Sequence, residues 1–355
     1  MDFETDVYNR ERARYANTET MFAAYGTVAN GSIKYYSPLY QLFRDRDAGK
    51  VNSDQFNQQI ASFKNADYYE QYRDHVWQNA FRQRYNLSLS SASSKSNTFA
   101  SINYDLSAER IIGNNSQKFT LYFKNTYNIK KWLSTNIGFN GAYSTSTSTE
   151  LSYDSHTAIS PRYASIINPD GSLVYSNYVN LADGIAGSII NGAVAGALIN
   201  NPQYKSYRFN ILESLNEGLT NANTVSLRAF ADVQAKIMDG LNFSSQFQYE
   251  MGTTKSEQFY DVNSYKMRAA YNALIGYTPA TNAYTYGLPV GGRISQNMQQ
   301  KNSYTIRNQL SYDRSFGEGK HSIAAIAGVE MRQTFLPIGM NDIRYGYDPV
   351  TLTST

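Results

Sequence analysis

From residue 80 onward, apolar and polar side chains alternate along the chain with a period of two. This period places alternate side chains on opposite faces of an extended strand. Lys118–Asn128 shows it most clearly, because its apolar residues share one parity and its polar residues mostly share the other. The pattern predicts eight β-strands, at Phe81–Leu89, Thr98–Tyr104, Lys118–Asn128, Trp132–Ser144, Thr224–Ile237, Leu241–Met251, Ser303–Phe316 and Ser322–Phe335.

The connections between these predicted strands are alternately short and long. The short ones lie around Ser94–Ser96, Ile129–Lys131, Met238–Gly240 and Gly317–Lys320, and the long ones span Ser107–Gln117, Thr145–Asn223 and Gly252–Asn302. Transmembrane barrels have this asymmetry, whereas loops beyond about 12–15 residues are uncommon in compact soluble domains. Most of the strands also match the roughly 9–11 residues of a tilted membrane-spanning strand.

Aromatic residues lie near both ends of the predicted strands. Near the short turns these are Tyr127, Trp132, Tyr312 and Phe316, and near the long connections they are Tyr104, Tyr143, Tyr249 and Tyr304. Amphipathic rings are enriched at the two interfaces of a bilayer. The sequence therefore predicts two aromatic girdles, although tyrosine is also abundant throughout the chain.

These patterns predict an all-β fold: a partial antiparallel transmembrane β-barrel of about eight long strands. The strand region covers 80–335, with long outer loops at 145–223 and 252–302, and 336–355 begins a further outer loop. Residues 1–79 are predicted to form a partly helical outer loop region, with helix-compatible stretches at Tyr40–Asp47 and Ser53–Phe63. Because the first and last connections are both short, both ends of the set lie on the long-loop side. We therefore expect further strands on either side; a complete eight-stranded barrel is the alternative.

Composition narrows the function classes. The chain has 355 residues and no cysteine, which excludes disulfide frameworks, thiolate zinc sites and cysteine nucleophiles. Charged residues make up 17%, against about 25% in ordinary soluble domains, and the net charge of +3 does not indicate a nucleic-acid partner. The longest apolar stretch, Ile185–Ile199, is shorter than the roughly 20 residues of a spanning helix and contains three glycines. We interpret it as a loop or packing segment.

The sequence offers no catalytic constellation, so we predict a protein that is not an enzyme. The three histidines, His75, His156 and His321, have no metal-binding spacing, and Gly291–Gly292 reads as a loop pair. Asp67 and Glu70 fit a solvated helix face. No cofactor is predicted.

Charged residues on the polar parity of the strands are the remaining candidates. In a barrel they would face the lumen, where they either pair across strands and contact a plug or contact a solute. They are Lys124, Arg228, Asp232, Lys236, Glu250, Arg307, Asp313, Glu330 and Arg332. A second set consists of tyrosines in the long connections, which could stack on a sugar or peptide, or pack on each other or on a partner. These are Tyr163, Tyr175, Tyr178, Tyr271, Tyr277, Tyr284 and Tyr286.

Several segments, in order, resemble the SusC/RagA family of TonB-linked outer-membrane transporters of Bacteroidetes-type bacteria. They are the hairpin QRYNLSLSSASSKSNTFASINY (Gln83–Tyr104), KWLSTNIGFNGAYS (Lys131–Ser144), INPDGSLVY (Ile167–Tyr175) followed by NPQY (Asn201–Tyr204), IMDGLNF (Ile237–Phe243) and KHSIAAIAGVEM (Lys320–Met331). The chain departs from the family at Ser91–Ala92, where two glycines are usual, and the family's N-terminal domain and plug are not recognisable.

The resemblance implies an internal piece of a 22-stranded barrel in the outer membrane of a Gram-negative cell. It also implies partners: outer-membrane lipid, a SusD-like lipoprotein, the TonB complex and a glycan or peptide substrate. A soluble or surface-exposed β-rich adhesin or binding module remains the alternative from a different class. An enzyme acting on polysaccharide is a third possibility, which would need a pair of carboxylates within reach in the loops.

Overall fold

The computed structural model describes residues 1–17, 20–21, 38–150, 161–177, 202–206 and 208–354. The apolar stretch Ile185–Ile199, His156 and Tyr178 lie outside these residues. The dominant feature is one antiparallel sheet of eight strands, in which each strand pairs with the next long strand along the chain. Among the described residues, four further short strands form two small ribbons in the long connections.

All eight predicted strands are confirmed, and so is the all-β antiparallel class. The sheet contains β1 (Phe81–Ala92), β2 (Ser96–Ala108), β3 (Asn115–Lys130), β4 (Leu133–Ser148), β7 (Thr220–Met238), β8 (Leu241–Tyr260), β11 (Gly292–Phe316) and β12 (His321–Tyr347). The small ribbons are β5 (Ser176–Asn177) with β6 (Arg208–Phe209) and β9 (Ile275–Thr278) with β10 (Ala283–Tyr286). Among the described residues β1 and β12 do not pair with each other, so the sheet is open.

The strands extend beyond their predicted ends on the side of the long connections. β8 continues past Met251 to Tyr260, β11 begins at Gly292, and β12 continues to Tyr347. Residues 336–347 were predicted to begin a loop, which is wrong, because they pair with β11. Pro337 lies at a bulge where the register shifts between Gln300 and Asn302, so its missing N–H interrupts the ladder only there.

The helices lie in the N-terminal region and the long connections. In the described residues they are α1 (Asp2–Arg12), α2 (Pro38–Asp47), α3 (Ser53–Asn65), α4 (Tyr68–Val76), α5 (Ile211–Ser214) and α6 (Tyr265–Ala273). α2 and α3 confirm the two helix-compatible stretches. Asn52 caps α3 in a reciprocal capping box with Gln55, and Asp67 caps α4 through the amides of Tyr69 and Glu70. In the part of the chain that the structure describes, no helix is long and apolar enough to cross a membrane.

Two small cores form between the N-terminal helices and the long connections, away from the sheet faces. In the first, the ring of Tyr8 stacks on Phe43 at 4.4 Å, and Tyr163 packs beside them. In the second, Tyr72 and Val76 of α4 pack against Ile166 and Ile211. These cores make the helices and connections one packed cap at the end of the sheet where the long connections lie.

Helix α6 ties three segments of this cap together. The Nζ of Lys266 lies 2.5 Å from a carboxylate oxygen of Glu150, just after β4. The guanidinium of Arg268 donates to the carbonyls of Ser206 and Arg208, and Asn272 pairs with both backbone groups of Lys205. The ends of β4 and β8 are thereby held against Lys205, Ser206 and Arg208.

Candidate functional site

The register of the sheet places the apolar parities of all eight strands on one face. One row across the sheet runs through Tyr85, Tyr104, Phe119, Tyr143, Val225, Thr253, Gln300 and Ile338. The next apolar row begins with Leu87, Ile102, Leu121, Gly141, Leu227 and Met251. A one-residue slip at any pairing would have moved a strand's apolar set to the other face. The chain therefore builds one continuous apolar face, which we call the apolar face.

No other part of the described structure covers this face. Leu87 is 73% exposed, Phe247 49% and Val329 64%, although each belongs to a regular paired strand. Soluble proteins rarely expose contiguous apolar patches larger than a few hundred Å². An exposed face of this extent requires an apolar environment outside the described residues.

The apolar face has an aromatic margin on each side. Tyr127, Trp132 and Phe316 border it at the short turns and are 37–50% exposed. On the other side, Tyr104, Tyr143, Tyr249 and Tyr304 lie 8 to 12 residues from the short-turn ends of their strands. Tyr249 and Tyr304 were predicted near strand ends, but they lie within β8 and β11 because those strands continue past them.

Beyond this second margin, the same face becomes mixed. The positions that continue the apolar parity carry charged or amide side chains next to apolar ones: Lys255, Glu257 and Phe259 on β8, Ile294, Gln296 and Met298 on β11, and Met340, Asp342 and Arg344 on β12. Arg344 pairs with Asp342 at 3.0 Å and donates to Gln296. The apolar width between the margins agrees with the roughly 9–11 residues of a strand that crosses a hydrocarbon layer.

The short turns are staggered across the sheet. From the row through Tyr85 and Gln300, β1 ends seven residues further on at Ala92, whereas β11 ends sixteen residues further on at Phe316. This stagger is about 30 Å along the strands over a sheet width of about 29 Å, a slant of roughly 45°. Strands of membrane barrels tilt by about 35–45°.

The opposite face is polar, and it carries the charged candidates of the strands. Asp232, Arg307 and Glu330 share one register row, Arg228 and Glu250 share a second, and Lys124 and Arg332 share a third. Asp313 lies apart from them near the short turns, where its amide donates to the carbonyl of Gly240. Lys236 also lies near a short turn, at the end of β7, so the nine candidates do not converge on one point.

Neighbouring charges on this polar face pair across strands. Arg228 lies 3.8 Å from Glu250 and donates to Gln248, which in turn donates to Glu250. Arg307 lies 3.9 Å from Glu330. One carboxylate oxygen of Asp232 is buried without a hydrogen-bond partner among the described residues. Cross-strand pairing accounts for four of the nine charges.

The polar face also carries aromatic rings that the sequence analysis did not single out. Phe99 and Tyr122 pack at 5.9 Å, and Phe230 lies opposite Gly138. The guanidinium of Arg228 lies 5.8 Å from the Phe230 ring. Their parity, opposite to that of the apolar residues around them, is a signal in the sequence that could have identified them.

The loop tyrosines mostly pack on each other. Tyr271 stacks on Tyr286 at 5.5 Å, and Tyr277 lies 4.8 Å from Tyr284. Tyr163 is buried in the first core and bonds to Glu4, so its ring is not available to a solute. Burial raises the pKa of Tyr271 above its ordinary value. Of the two roles that the sequence left open, packing is the one observed for these residues.

The remaining residues that the sequence analysis considered are two histidines, Asp67 and Gly291. His75 and His321 are exposed. Asp67 caps α4 and accepts two hydrogen bonds from Arg162, which hold the pKa of that carboxyl below its ordinary value. Gly291 adopts a positive φ of 149° and approaches the backbone of Gly346. Within the described ranges, no group of three or more histidine, aspartate or glutamate side chains could hold a metal ion.

Three solved structures of transporters are similar to this chain in fold. The RagAB peptide transporter matches with a TM-score of 0.53 over 81% of this chain and 28% of that chain. The RagAB peptide importer matches in its "closed-closed" state with a TM-score of 0.52, over 79% of this chain and 30% of that chain. In its "open-open" state it matches with a TM-score of 0.55, over 81% and 28%.

The sequence identity is 15% in all three cases, so the likeness shows the fold alone. The chain spans less than a third of the length of each matched structure. No protein family profile matches the sequence, and no curated protein matches it either.

Proposed function

We propose that this chain forms part of the wall of an outer-membrane β-barrel transporter. The observation that carries the proposal is the exposed apolar face, aligned through eight strands and bordered by aromatic residues. Hydrocarbon is the environment in which such a face is stable, and the slant of about 45° matches strands that cross a bilayer. The fold shared with three transporter structures supports the same assignment.

In this proposal the polar face lines a passage for large nutrients such as oligosaccharides or peptides. Lys124, Arg228, Asp232, Glu250, Arg307, Asp313, Glu330 and Arg332 would then face the lumen. The paired charges Arg228–Glu250 and Arg307–Glu330 hold neighbouring strands together, whereas Lys124 and Asp232 are placed to meet a plug or a solute. The protein acts as a transporter, not as an enzyme.

The partners follow from the family resemblance. We propose that the whole protein works with a SusD-like lipoprotein over the end that carries the long connections, and with the TonB complex as its source of energy. The packed cap of helices and connections lies at that end and offers the lid a preformed surface. Residues 1–79, 145–223 and 252–302 would then lie largely at the outer surface of the cell.

Cell fractionation and uptake test the proposal together. Outer membranes from cells that make the protein are washed with alkaline carbonate, which removes peripheral proteins. We expect the protein to stay with the membrane, and cells that lack it to lose growth on one class of oligosaccharide or peptide. Release by the wash would contradict the proposal and favour a soluble or surface-exposed binding module.

A further inference from the structure

A cavity of about 560 Å³ opens on the polar face where β1, β2 and β3 reach the long connections. Four of the side chains that line it are basic and two are acidic. They are Arg82, Arg84, Arg110 and Lys118, with Asp105 and Glu109, and we call this site the basic pocket. Its lining carries an excess of two positive charges in a concave space, which favours an anion.

The register explains how the strands bring these charges together. Arg84 of β1, Asp105 of β2 and Lys118 of β3 lie in one row, so a cation stands on either side of one carboxylate. In the neighbouring row, Ser107 and Ser116 share a hydrogen bond of 2.8 Å. All five side chains follow the polar parity of their strands, which directs them into the same space.

Asp105 orients Arg82 and Arg84 but does not use all of their hydrogen-bond donors. It accepts a hydrogen bond of 2.6 Å from the Nε of Arg84, and it lies 3.5 Å from an Nη of Arg82. A guanidinium carries five N–H donors in a fixed fork, so both Nη groups of Arg84 stay free of partners among the described residues. The side chain of Asp105 is 16% exposed, whereas that of Arg84 is 59% exposed. The donors therefore face the cavity.

Two further cations complete the basic pocket. Lys118 has no hydrogen-bond or ion-pair partner within the described ranges. Arg110 lies 4.0 Å from the ring of Trp77, which holds its guanidinium in place through a cation–π contact. Hydrogen bonds from the amide and side chain of Gln78 to the carbonyls of Arg110 and Glu109 fix this wall.

We propose that the basic pocket binds the carboxylate or phosphate group of a small anionic solute. Carboxylate and phosphate groups both accept bidentate hydrogen bonds from a planar guanidinium, and Lys118 adds a charge on the opposite side of the row. The pocket opens on the face that is proposed to line the passage. Its role as a binding site for a solute in transit therefore rests on the proposed function. The binding itself does not depend on transport.

Calorimetric titration of the purified complete protein tests the proposal. The protein is taken from whichever cell fraction contains it and titrated with citrate, pyrophosphate or the neutral sugar maltose, with ionic strength held constant by chloride. We expect saturable binding of at least one of the two anions and none of maltose. Tighter binding of citrate indicates a carboxylate ligand, and tighter binding of pyrophosphate indicates a phosphate ligand.

Variants separate a built site from general attraction by charge. Lys118→Gln and Arg84→Gln each remove a charge-assisted hydrogen bond and should weaken binding by about tenfold or more. Lys255→Gln, which removes one charge from the other face of the sheet, should leave binding unchanged. Asp105→Ala adds positive charge but frees Arg84, so we expect it to weaken binding as well.

Several outcomes would overturn the proposal. These are the absence of saturable anion binding, equal effects of Lys118→Gln and Lys255→Gln, and tighter binding after Asp105→Ala. Binding of a tetra-aspartate peptide but of neither free anion would make the pocket a docking site for an acidic chain. If the protein stays in the membrane after the carbonate wash but does not bind anions in this way, only the proposed anion site is refuted, and the proposed function stands.

Discussion

Phe230 on β7 covers the space that a side chain at Gly138 on β4 would occupy. The two residues are direct partners in the register, and a Cβ placed on Gly138 would come within 2.2 Å of the Phe230 ring. The ring thus shields the glycine backbone on an otherwise polar face. Pairing of an aromatic residue with a glycine across strands is a device that fixes register in sheets.

A double-mutant cycle on this pair should show that its members are coupled. Gly138→Ala pushes the ring aside, so Phe230→Ala should cost less in that background than in the wild type. The expected coupling is about 0.5–1 kcal/mol in the free energy of unfolding. Urea titration of the complete protein in lipid vesicles measures it. Additive effects would mean that the ring does not stabilise the sheet through Gly138.

Adjacent residues on β8 should respond in opposite ways to a charge. Phe247 belongs to the apolar face and Gln246 to the polar face. Arginine on the lipid side of a barrel strand near the bilayer midplane costs about 2–4 kcal/mol. Phe247→Arg should therefore lower the folded fraction in vesicles sharply, whereas Gln246→Arg should change it little. Equal effects of the two substitutions would argue against a membrane-facing side.

The cap of α4 should weaken in acid. The hydrogen bonds from Arg162 lower the pKa of Asp67 in the folded state, so its contribution is present above about pH 4, the unfolded pKa. It is lost as the pH falls through the folded pKa. Asp67→Ala should destabilise α4 by about 1 kcal/mol at neutral pH, and Asp67→Asn by less, because asparagine also caps helices.

The backbone amides of Tyr69 and Glu70 donate hydrogen bonds to the carboxylate of Asp67. The rate of hydrogen exchange at these two amides measures this effect. Asp54→Asn in the first turn of α3 serves as the control. Exchange at Tyr69 and Glu70 that is independent of pH and unaffected by Asp67→Ala would show that the cap contributes nothing.

The open edges of the sheet make a prediction for the 355 residues alone. Among the described residues no strand pairs with the outer edges of β1 and β12, and a hydrocarbon layer does not tolerate unpaired N–H and C=O groups. Expressed without further chain, these residues should not form a heat-modifiable, protease-resistant barrel in detergent. Electrophoresis of heated and unheated samples after protease treatment shows whether such a barrel has formed. A resistant, heat-modifiable species would support a complete eight-stranded barrel instead.

The sequence predicted those parts of the strands that have one apolar face. Apolar and polar residues alternate only in those parts, and the prediction depended on that alternation. It missed Gly252–Tyr260 and Gly292–Asn302, which have polar or mixed side chains on both faces and are held by their partners in the ladder. It also missed α1 and gave no bounds for α4, because the buried faces of both helices are completed by residues distant in sequence, such as Tyr163 and Ile166.

The candidate site was predicted only in part for the same physical reason. Parity alone predicted one common face for Arg228 and Glu250, whereas their direct pairing is visible only in the register. The basic pocket needs the pairing of Arg84 with Asp105 and of Asp105 with Lys118, across turns and connections of different lengths. The hydrophobic and polar pattern within a strand does not specify which residue of the next strand lies opposite it.

The most direct test of the central claim is a scan of accessibility along β8. The 355 residues contain no cysteine, so single cysteines placed from Phe243 to Tyr249 can each carry a spin label. In the complete protein in lipid vesicles, the account predicts that labels at 243, 245, 247 and 249 meet lipid-dissolved oxygen. Labels at 244, 246 and 248 should meet a water-soluble nickel complex or neither reagent. Accessibility without a period of two, or oxygen contact at the even positions, would contradict a lipid-facing apolar side.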